Sequence, residues 1–407
     1  MKVLHLLIAL SLLCSNQLFA KEQIKDFDNY ISENKQEQFE ADYKKNEAES
    51  SKLRDSWIAP INLNYRYDKS NPYKNKQKQK SAGVVMDQPI FQSGGIYYGI
   101  KFAQASKVYG DYSVDVSKRK LIKNAISLLM QIKQIQLKEA KQKLQIKNSE
   151  ISLAQKKEDY LNGQLDSGFL NNAIIERNIV IQALYDIQTN KQKLLSQFKS
   201  ISDVHPNELN IPYLKTLSKE DFLGKNIILK MSKSEIERDG YNKNVTVAKY
   251  LPRINLVAGY NWQKSEDQSF FSGSSTVSQE TDYYNYGFRA TLPLDINTFR
   301  DIEVSKVDYL KSKLVLEDRR RELTTTYEQV MQNIQNYDNK KQLSKENTDL
   351  YKDLLSQTTD LYSAGYKTKY DVELLQNSVN IEKLNIQIFE IDKQLSLLTL
   401  YETYKNE

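Results

Sequence analysis

The stretch "PINLNYRY" at residues 60–67 returns as "PRINLVAGY" at residues 252–260, and this recurrence decides how the chain is read. Two further pairs follow in the same order. "QPIFQSGG" (88–95) is echoed by "LPLDINTF" (292–299), and "LDSGFLNNAII" (165–175) by "YSAGYKTKYDV" (362–372). The anchors Pro60 and Pro252 lie 192 residues apart, Pro89 and Pro293 lie 204 apart, and Gly168 and Gly365 lie 197 apart. Three features in one order at nearly one offset indicate a duplicated unit.

Each unit has one plan: a helical lead-in reaches a proline, two strands follow, then a long helix, a glycine turn and a second long helix. Pro60 and Pro252 start the strands, and Pro89 and Pro293 mark the strand-to-helix junctions. In the first strand Ile61, Leu63, Tyr65 and Tyr67 alternate with Asn62, Asn64 and Arg66. In the last, Tyr284, Tyr286, Phe288, Ala290 and Leu292 alternate with Asn285, Gly287, Arg289 and Thr291. Period two with aromatics on one side predicts a half-buried strand. It equally suits a membrane barrel with an apolar outside and a polar lumen, and the connecting stretches are long and polar as the outer loops of such barrels are.

The remaining segments follow a different period. Leu137, Ala140, Leu144, Ile151 and Ala154 keep a 3–4 spacing, as do Leu374, Ile381, Leu384, Ile388, Ile391, Leu395 and Leu398. That is a coiled-coil seam. A continuous helix from Gly95 to Ser167 would reach about 108 Å at 1.5 Å per residue. Gly168 and Gly365 are the expected hairpin-turn glycines. Residues 1–20 then form a leader, 21–202 the first repeat, 203–225 a proline-containing linker lying across the rods, and 226–407 the second repeat.

The leader has a basic start, an apolar core from Val3 to Leu13 and a small residue, Ala20, at its end, which is the layout of a cleaved secretory signal. Cys14, the only cysteine, falls within it. What remains has 57 basic and 52 acidic side chains, a net +5, and one histidine, His205. A zinc site built from Cys and His is thereby excluded within one chain, and a Ser-His or Cys-His hydrolase would depend on His205 alone. Neither GxGxxG nor GxxxxGK[ST] occurs. The expectation is a protein that is not an enzyme and has no cofactor. The lysine-rich stretch from Lys69 to Lys80 reads as a solvated loop in a secreted protein, with contact to anionic surface lipid as the alternative, and not as a nucleic-acid surface. After residue 20 no stretch is apolar enough for a spanning helix, so a membrane link has to be a β-barrel. Four strands cannot close one, so the chain is expected to assemble.

The doubled "PxINL" strand start, the "QPIFQSGG" and "LPLDINT" junctions and "YSAGYKTKYDVELLQNSV" resemble the TolC-type outer-membrane efflux protein family over essentially the whole chain after the leader. The resemblance implies a mainly α fold with a small β part: a homotrimer whose twelve-stranded transmembrane β-barrel, four strands per chain, continues into a long coiled-coil α-helical barrel. It implies an outer-membrane exit duct, lodged in outer-membrane lipid with a large periplasmic part. Its partners would be a periplasmic adaptor (membrane fusion protein) and an inner-membrane pump of the RND, ABC or MFS type, in efflux or type I secretion. The family closes its periplasmic helix tips through a tyrosine, a basic residue and carboxylates. At matching positions stand Tyr362, Lys367 and Asp371, with Glu373 beside Leu374, where the family has a second aspartate. Lysine lacks the bidentate fork of the family's usual arginine. In the first hairpin the position of the partner aspartate holds Ile174, with Asp166, Glu176 and Arg177 nearby. The alternative is a periplasmic coiled-coil adaptor without a barrel, against which the paired strands and two hairpins argue.

Overall fold

The computed structural model describes residues 28–71, 76–268 and 276–405; the leader and Cys14 lie outside them. The element order is α1 (Glu33–Arg54), β1 (Asn62–Ser70), β2 (Lys76–Phe91), α2 (Gly95–Leu161), α3 (Ser167–Lys199), α4 (Lys219–Gly224), α5 (Ile227–Lys249), β3 (Arg253–Gln268), β4 (Thr276–Thr291), α6 (Thr298–Ser363) and α7 (Lys369–Tyr401). The sequence helix, strand, strand, long helix, helix therefore occurs twice. The chain forms two compact units, and each contains parts of both halves: Met1–Ala41 with Val114–Ile228 and Arg319–Glu407, and Asp42–Ser113 with Leu229–Asp318.

The second of these units holds one antiparallel sheet in the order β1-β2-β3-β4. Register sets its two faces, because directly opposed residues point the same way and neighbours along a strand point oppositely. Leu63 faces Val84, Val84 faces Tyr260, and Tyr260 faces Tyr284. Met86, Ala258 and Tyr286 form the next row, then Gln88, Leu256 and Phe288. This face is apolar and exposed: Leu63 is 79% accessible, Tyr286 79% and Phe288 76%. The opposite face is polar. There Asp87 accepts hydrogen bonds from Asn255 Nδ2 at 2.8 Å and Arg289 Nη1 at 2.9 Å, and Asn261 donates to Asn285.

The strand ends are tied by side chains. Gln88 Nε2 donates to the Trp57 carbonyl (3.1 Å) while its Oε1 accepts from the Ala59 amide (2.8 Å), fixing the entry to β1. Pro89 lies inside β2, where the ladder shifts register before Phe91, since proline brings no donor to it. Ser93, with φ of 48°, donates to the Pro252 carbonyl at 2.6 Å and so joins the first junction to the start of β3. Pro293 precedes an Asp295 turn, whose carboxylate accepts from the Asn297 amide at 2.8 Å just before α6.

In the other unit, Ile126 and Met130 of α2, Val330 and Ile334 of α6, and Leu397, Leu398 and Leu400 of α7 bury one core with Leu214 and Phe222. Segment 203–225 supplies the last two. It is held by polar bonds as well: Tyr327 Oη donates to the Leu217 carbonyl and Tyr401 Oη to that of Lys215, both at 2.9 Å, and the buried Gln394 accepts from the Leu214 amide at 2.8 Å. A second cluster joins Leu128, Leu129, Ile132 and Ile135 of α2 to Leu194 and Phe198 of α3. Ala140 of the expected seam is exposed, and the buried stripe of α2 is centred one to four turns earlier, where these clusters form. After α7 the chain returns to α5: Asn226 bridges Tyr404, Ile227 N donates to the Thr403 carbonyl (2.8 Å), and buried Asn226 donates to Thr403 Oγ1 (2.9 Å). Lys405 pairs with Asp115, and Lys123 with Glu402.

Phe222 is 1% exposed and stacks on Tyr327 with ring centroids 5.9 Å apart. Phe222→Ala is expected to cost about 3–5 kcal/mol and to lower the thermal unfolding midpoint followed by circular dichroism.

Candidate functional site: the two hairpin turns

Both hairpin turns lie in the unit that contains α7, and both are built the same way. α2 ends with Gly163 N donating to the Tyr160 carbonyl (3.0 Å) and Gln164 N to that of Asp159 (2.8 Å). α6 ends with Gly365 N donating to the Tyr362 carbonyl (3.0 Å) and Tyr366 N to that of Leu361 (2.9 Å). Each is a Schellman cap, which needs a left-handed residue at its centre and so favours glycine. Gly163 has φ of 72° and Gly365 of 81°. The next helix is then capped by the side chain three residues after the glycine, Asp166 for α3 and Thr368 for α7.

This geometry corrects one expectation. Gly365 is a turn glycine, but its counterpart is Gly163 and not Gly168. Gly168 is the second residue of α3, and its amide donates to Asp166 Oδ1 at 2.9 Å. The equivalence of the turns therefore runs at an offset of 202, from Leu161 to Ser363 and from Ser167 to Lys369. Tyr362 then has a counterpart of its own kind, Tyr160, and Ile174 no longer stands opposite the tip.

The carboxylates of the second turn are occupied. Asp371 closes a capping box: its Oδ2 accepts from the Thr368 amide (3.0 Å) and hydroxyl (2.9 Å), while Thr368 Oγ1 accepts from the Asp371 amide (3.3 Å). The Thr368 backbone amide holds the Asp371 carboxyl below its ordinary value, aided by the Thr368 hydroxyl and the positive charge of Lys367 and opposed by partial burial. Glu373 pairs with Lys369 at 3.3 Å, one helical turn apart. Lys367 makes no ion pair, and the half-exposed Tyr362 no side-chain hydrogen bond, among the described residues. Tyr366 beside them is 80% accessible.

Close to the turns, a side-chain bond joins the two hairpins. Tyr370 Oη donates to Glu158 Oε1 at 3.1 Å, linking the first turn of α7 to the last turn of α2. That bond raises the Tyr370 hydroxyl above its usual range. Further along the same helices, Asn377 Nδ2 donates to Asn148 Oδ1 at 2.8 Å. The capping box was readable as Thr368-x-x-Asp371. The Tyr370–Glu158 contact spans 212 residues and carries no local sign.

None of these groups forms a catalytic constellation. Among the described residues no cluster of His, Cys, Asp or Glu is placed to hold a metal ion, and no helix is long and apolar enough to cross a membrane.

Comparison with known proteins sets the turns and the sheet in context. A family model described as Outer membrane efflux protein matches residues 220–403. No curated protein matches the chain. Among solved structures, the outer membrane protein VceC of Vibrio cholerae is 14% identical with a TM-score of 0.69, over 90% of this chain and 92% of that one. The CmeC outer membrane channel of Campylobacter jejuni is 12% identical with a TM-score of 0.68, over 93% and 86%. The open-state MtrE outer membrane channel of Neisseria gonorrhoeae is 10% identical with a TM-score of 0.63, over 94% and 88%. At such identities the likeness is one of fold, and it extends across the first half, which the family model leaves out.

The capping box sets a pH dependence. A carboxyl with a lowered folded-state pKa stabilises above its unfolded value, and that stabilisation is lost as pH falls through the lower, folded one. The contribution of Asp371 is thus complete at neutral pH and lost in acid below its ordinary 3.8. Thr368→Val is expected to speed amide hydrogen exchange in the first turn of α7 about fivefold, the effect of about 1 kcal/mol. The acid-induced rise in exchange there, corrected for intrinsic rates, is expected to be smaller in this variant than in the unmodified protein.

Proposed function

We propose that the chain, whose residues 220–403 match the outer membrane efflux protein model, is a member of that family and that three copies assemble into a single exit duct gated at the helix-hairpin turns. The family and the fold are those of outer-membrane efflux channels, not enzymes. The observation that carries the reading is the sheet. β1 pairs only with β2 and β4 only with β3 among the described residues, so both edges are open, and the sheet is apolar on one face and polar on the other. In lipid an open edge leaves backbone groups without partners. Closure by further copies of the same sheet removes both edges, turns Leu63, Tyr286 and Phe288 to the hydrocarbon, and turns Asp87, Asn255 and Arg289 to the lumen. Repeats 21–202 and 226–407, joined by 203–225, each give two strands and one helical hairpin to this assembly. A periplasmic adaptor and an inner-membrane pump complete the path for cargo.

At the turns, the division of labour among the residues favours Tyr362 and Lys367 as the groups that close against a neighbouring copy, because their polar ends are uncommitted among the described residues. Asp371 acts by positioning: it fixes the start of α7 through the capping box. Glu373 is held by Lys369, and Tyr370 with Glu158 ties the two hairpins of one copy together.

The duct reading predicts an SDS-resistant, heat-dissociable trimer in the outer-membrane fraction; a soluble periplasmic monomer would overturn it. The gate reading predicts that Tyr362→Phe combined with Lys367→Ala raises single-channel conductance in planar bilayers and sensitises cells to large antibiotics. Unchanged conductance in a correctly assembled double variant would remove these two residues from the gate.

A further inference from the structure

The apolar face of the sheet does not stay apolar along its length. Above the row Tyr65, Ala82, Trp262, Asp282 comes Tyr67, Lys80, Lys264, Glu280, and above that Lys69, Lys78, Glu266. Lys78 pairs with Glu266 at 3.4 Å and Lys264 with Glu280 at 3.2 Å, which places these four side chains on one face. Trp262 Nε1 also donates to Glu280, at 2.9 Å. Lys76 follows Lys78 and Lys80 on the same face by alternation. Five lysines thus meet two glutamates at the loop end of the face, directly above its aromatic rows.

Their arrangement is costly as it stands. Lys69 lies directly opposite Lys78, and Lys80 directly opposite Lys264. Like charges directly opposed across two strands destabilise a sheet. Here two such pairs occur in successive rows, and Lys69, Lys76 and Lys80 have no carboxylate partner among the described residues. Rows on one face are about 7 Å apart and neighbouring strands about 5 Å. One phosphate among Lys69, Lys78 and Lys80 therefore lies within reach of all three flexible ammonium groups, and its charge would offset the repulsion. A solvated loop explains neither the facing of these lysines nor their level.

We propose that this cluster is a binding site for a phosphorylated lipid headgroup of the outer leaflet, with Lys69 and Lys80 as its principal ligands and Lys78 and Lys264 in support. Trp262 and Tyr67 sit at the boundary where such a headgroup meets the acyl chains, the level amphipathic rings prefer. The inference rests on the apolar face pointing to lipid in the assembled duct.

The test uses the full chain purified as its assembly in detergent, with lipid retention read by native mass spectrometry. The probes are diphosphoryl lipid A, its dephosphorylated form, and inorganic phosphate as competitor. Lys69→Gln with Lys80→Gln removes both charges, keeps polar side chains one methylene shorter, and breaks none of the ion pairs among the described residues. The intact protein is expected to bind the diphosphoryl lipid about tenfold more tightly than the dephosphorylated one, as charge-assisted bonds to phosphate require. The double variant is expected to lose that preference while its assembly, in lipid-free detergent, is as heat-stable as before or more so. Equal affinity for the two lipids, or a preference that survives in the variant, overturns the site. Competition by millimolar inorganic phosphate makes it a free-anion site and equally overturns the lipid assignment. Conductance of the same preparation separates this outcome from failure of the duct reading: channels without lipid discrimination refute the site alone, and absence of assembly refutes both.

Discussion

The unpaired backbone at the two edges of the four-stranded sheet is the constraint from which the rest follows. A strand edge in water can be solvated, but in hydrocarbon each unmatched amide or carbonyl costs several kcal/mol. A chain with this sheet and an apolar outer face cannot sit in a membrane alone. The duplication supplies two hairpins of strands, and ladder pairing between β2 and β3 makes them one sheet. The same duplication supplies two helical hairpins. The sheet and the helical part are thus both consequences of one repeated plan.

At the helix turns, two kinds of interaction are separated in space. The Schellman caps at Gly163 and Gly365, the capping box of Thr368 and Asp371, and the Lys369–Glu373 pair act locally and shape each turn. Tyr370 with Glu158 and Asn377 with Asn148 act across hairpins within the chain. The paired amides are one of the polar contacts between α2 and α7, of a kind that fixes the register of packed helices. Tyr362, Tyr366 and Lys367 stay exposed after these bonds are made, and the first turn exposes Leu161 and Phe169.

Much of this was legible in the sequence. Alternation in residues 61–67 and 284–292 marked strands because the two faces of the sheet meet different surroundings. Pro293 follows the end of β4 as a junction proline should, whereas Pro89, expected at the other junction, lies inside β2 two residues before its end. The pairing of Gly168 with Gly365 went astray by five residues. "LDSG" and "YSAG" look alike as strings, whereas the physical equivalence depends on which glycine takes positive φ at the helix end. Once Gly163 is recognised, Tyr160 falls into line with Tyr362. The expected latch role of Asp371 was read from position, and its capping bonds could have been read from the threonine three residues earlier. The Tyr370–Glu158 bond could not, since nothing local in either helix indicates a partner 212 residues away.

The core that joins Ile126 and Met130 to Leu397, Leu398 and Leu400 has a consequence for how the protein is made. These contacts close loops of more than 250 residues, and such contacts form late. Until α7 is in place, the middle of α2 and the site for segment 203–225 lack the residues that cover them. Before α7 docks, the chain carries an apolar stripe that this helix will bury. Docking of α7, not of the first helix, is then the step that completes this core.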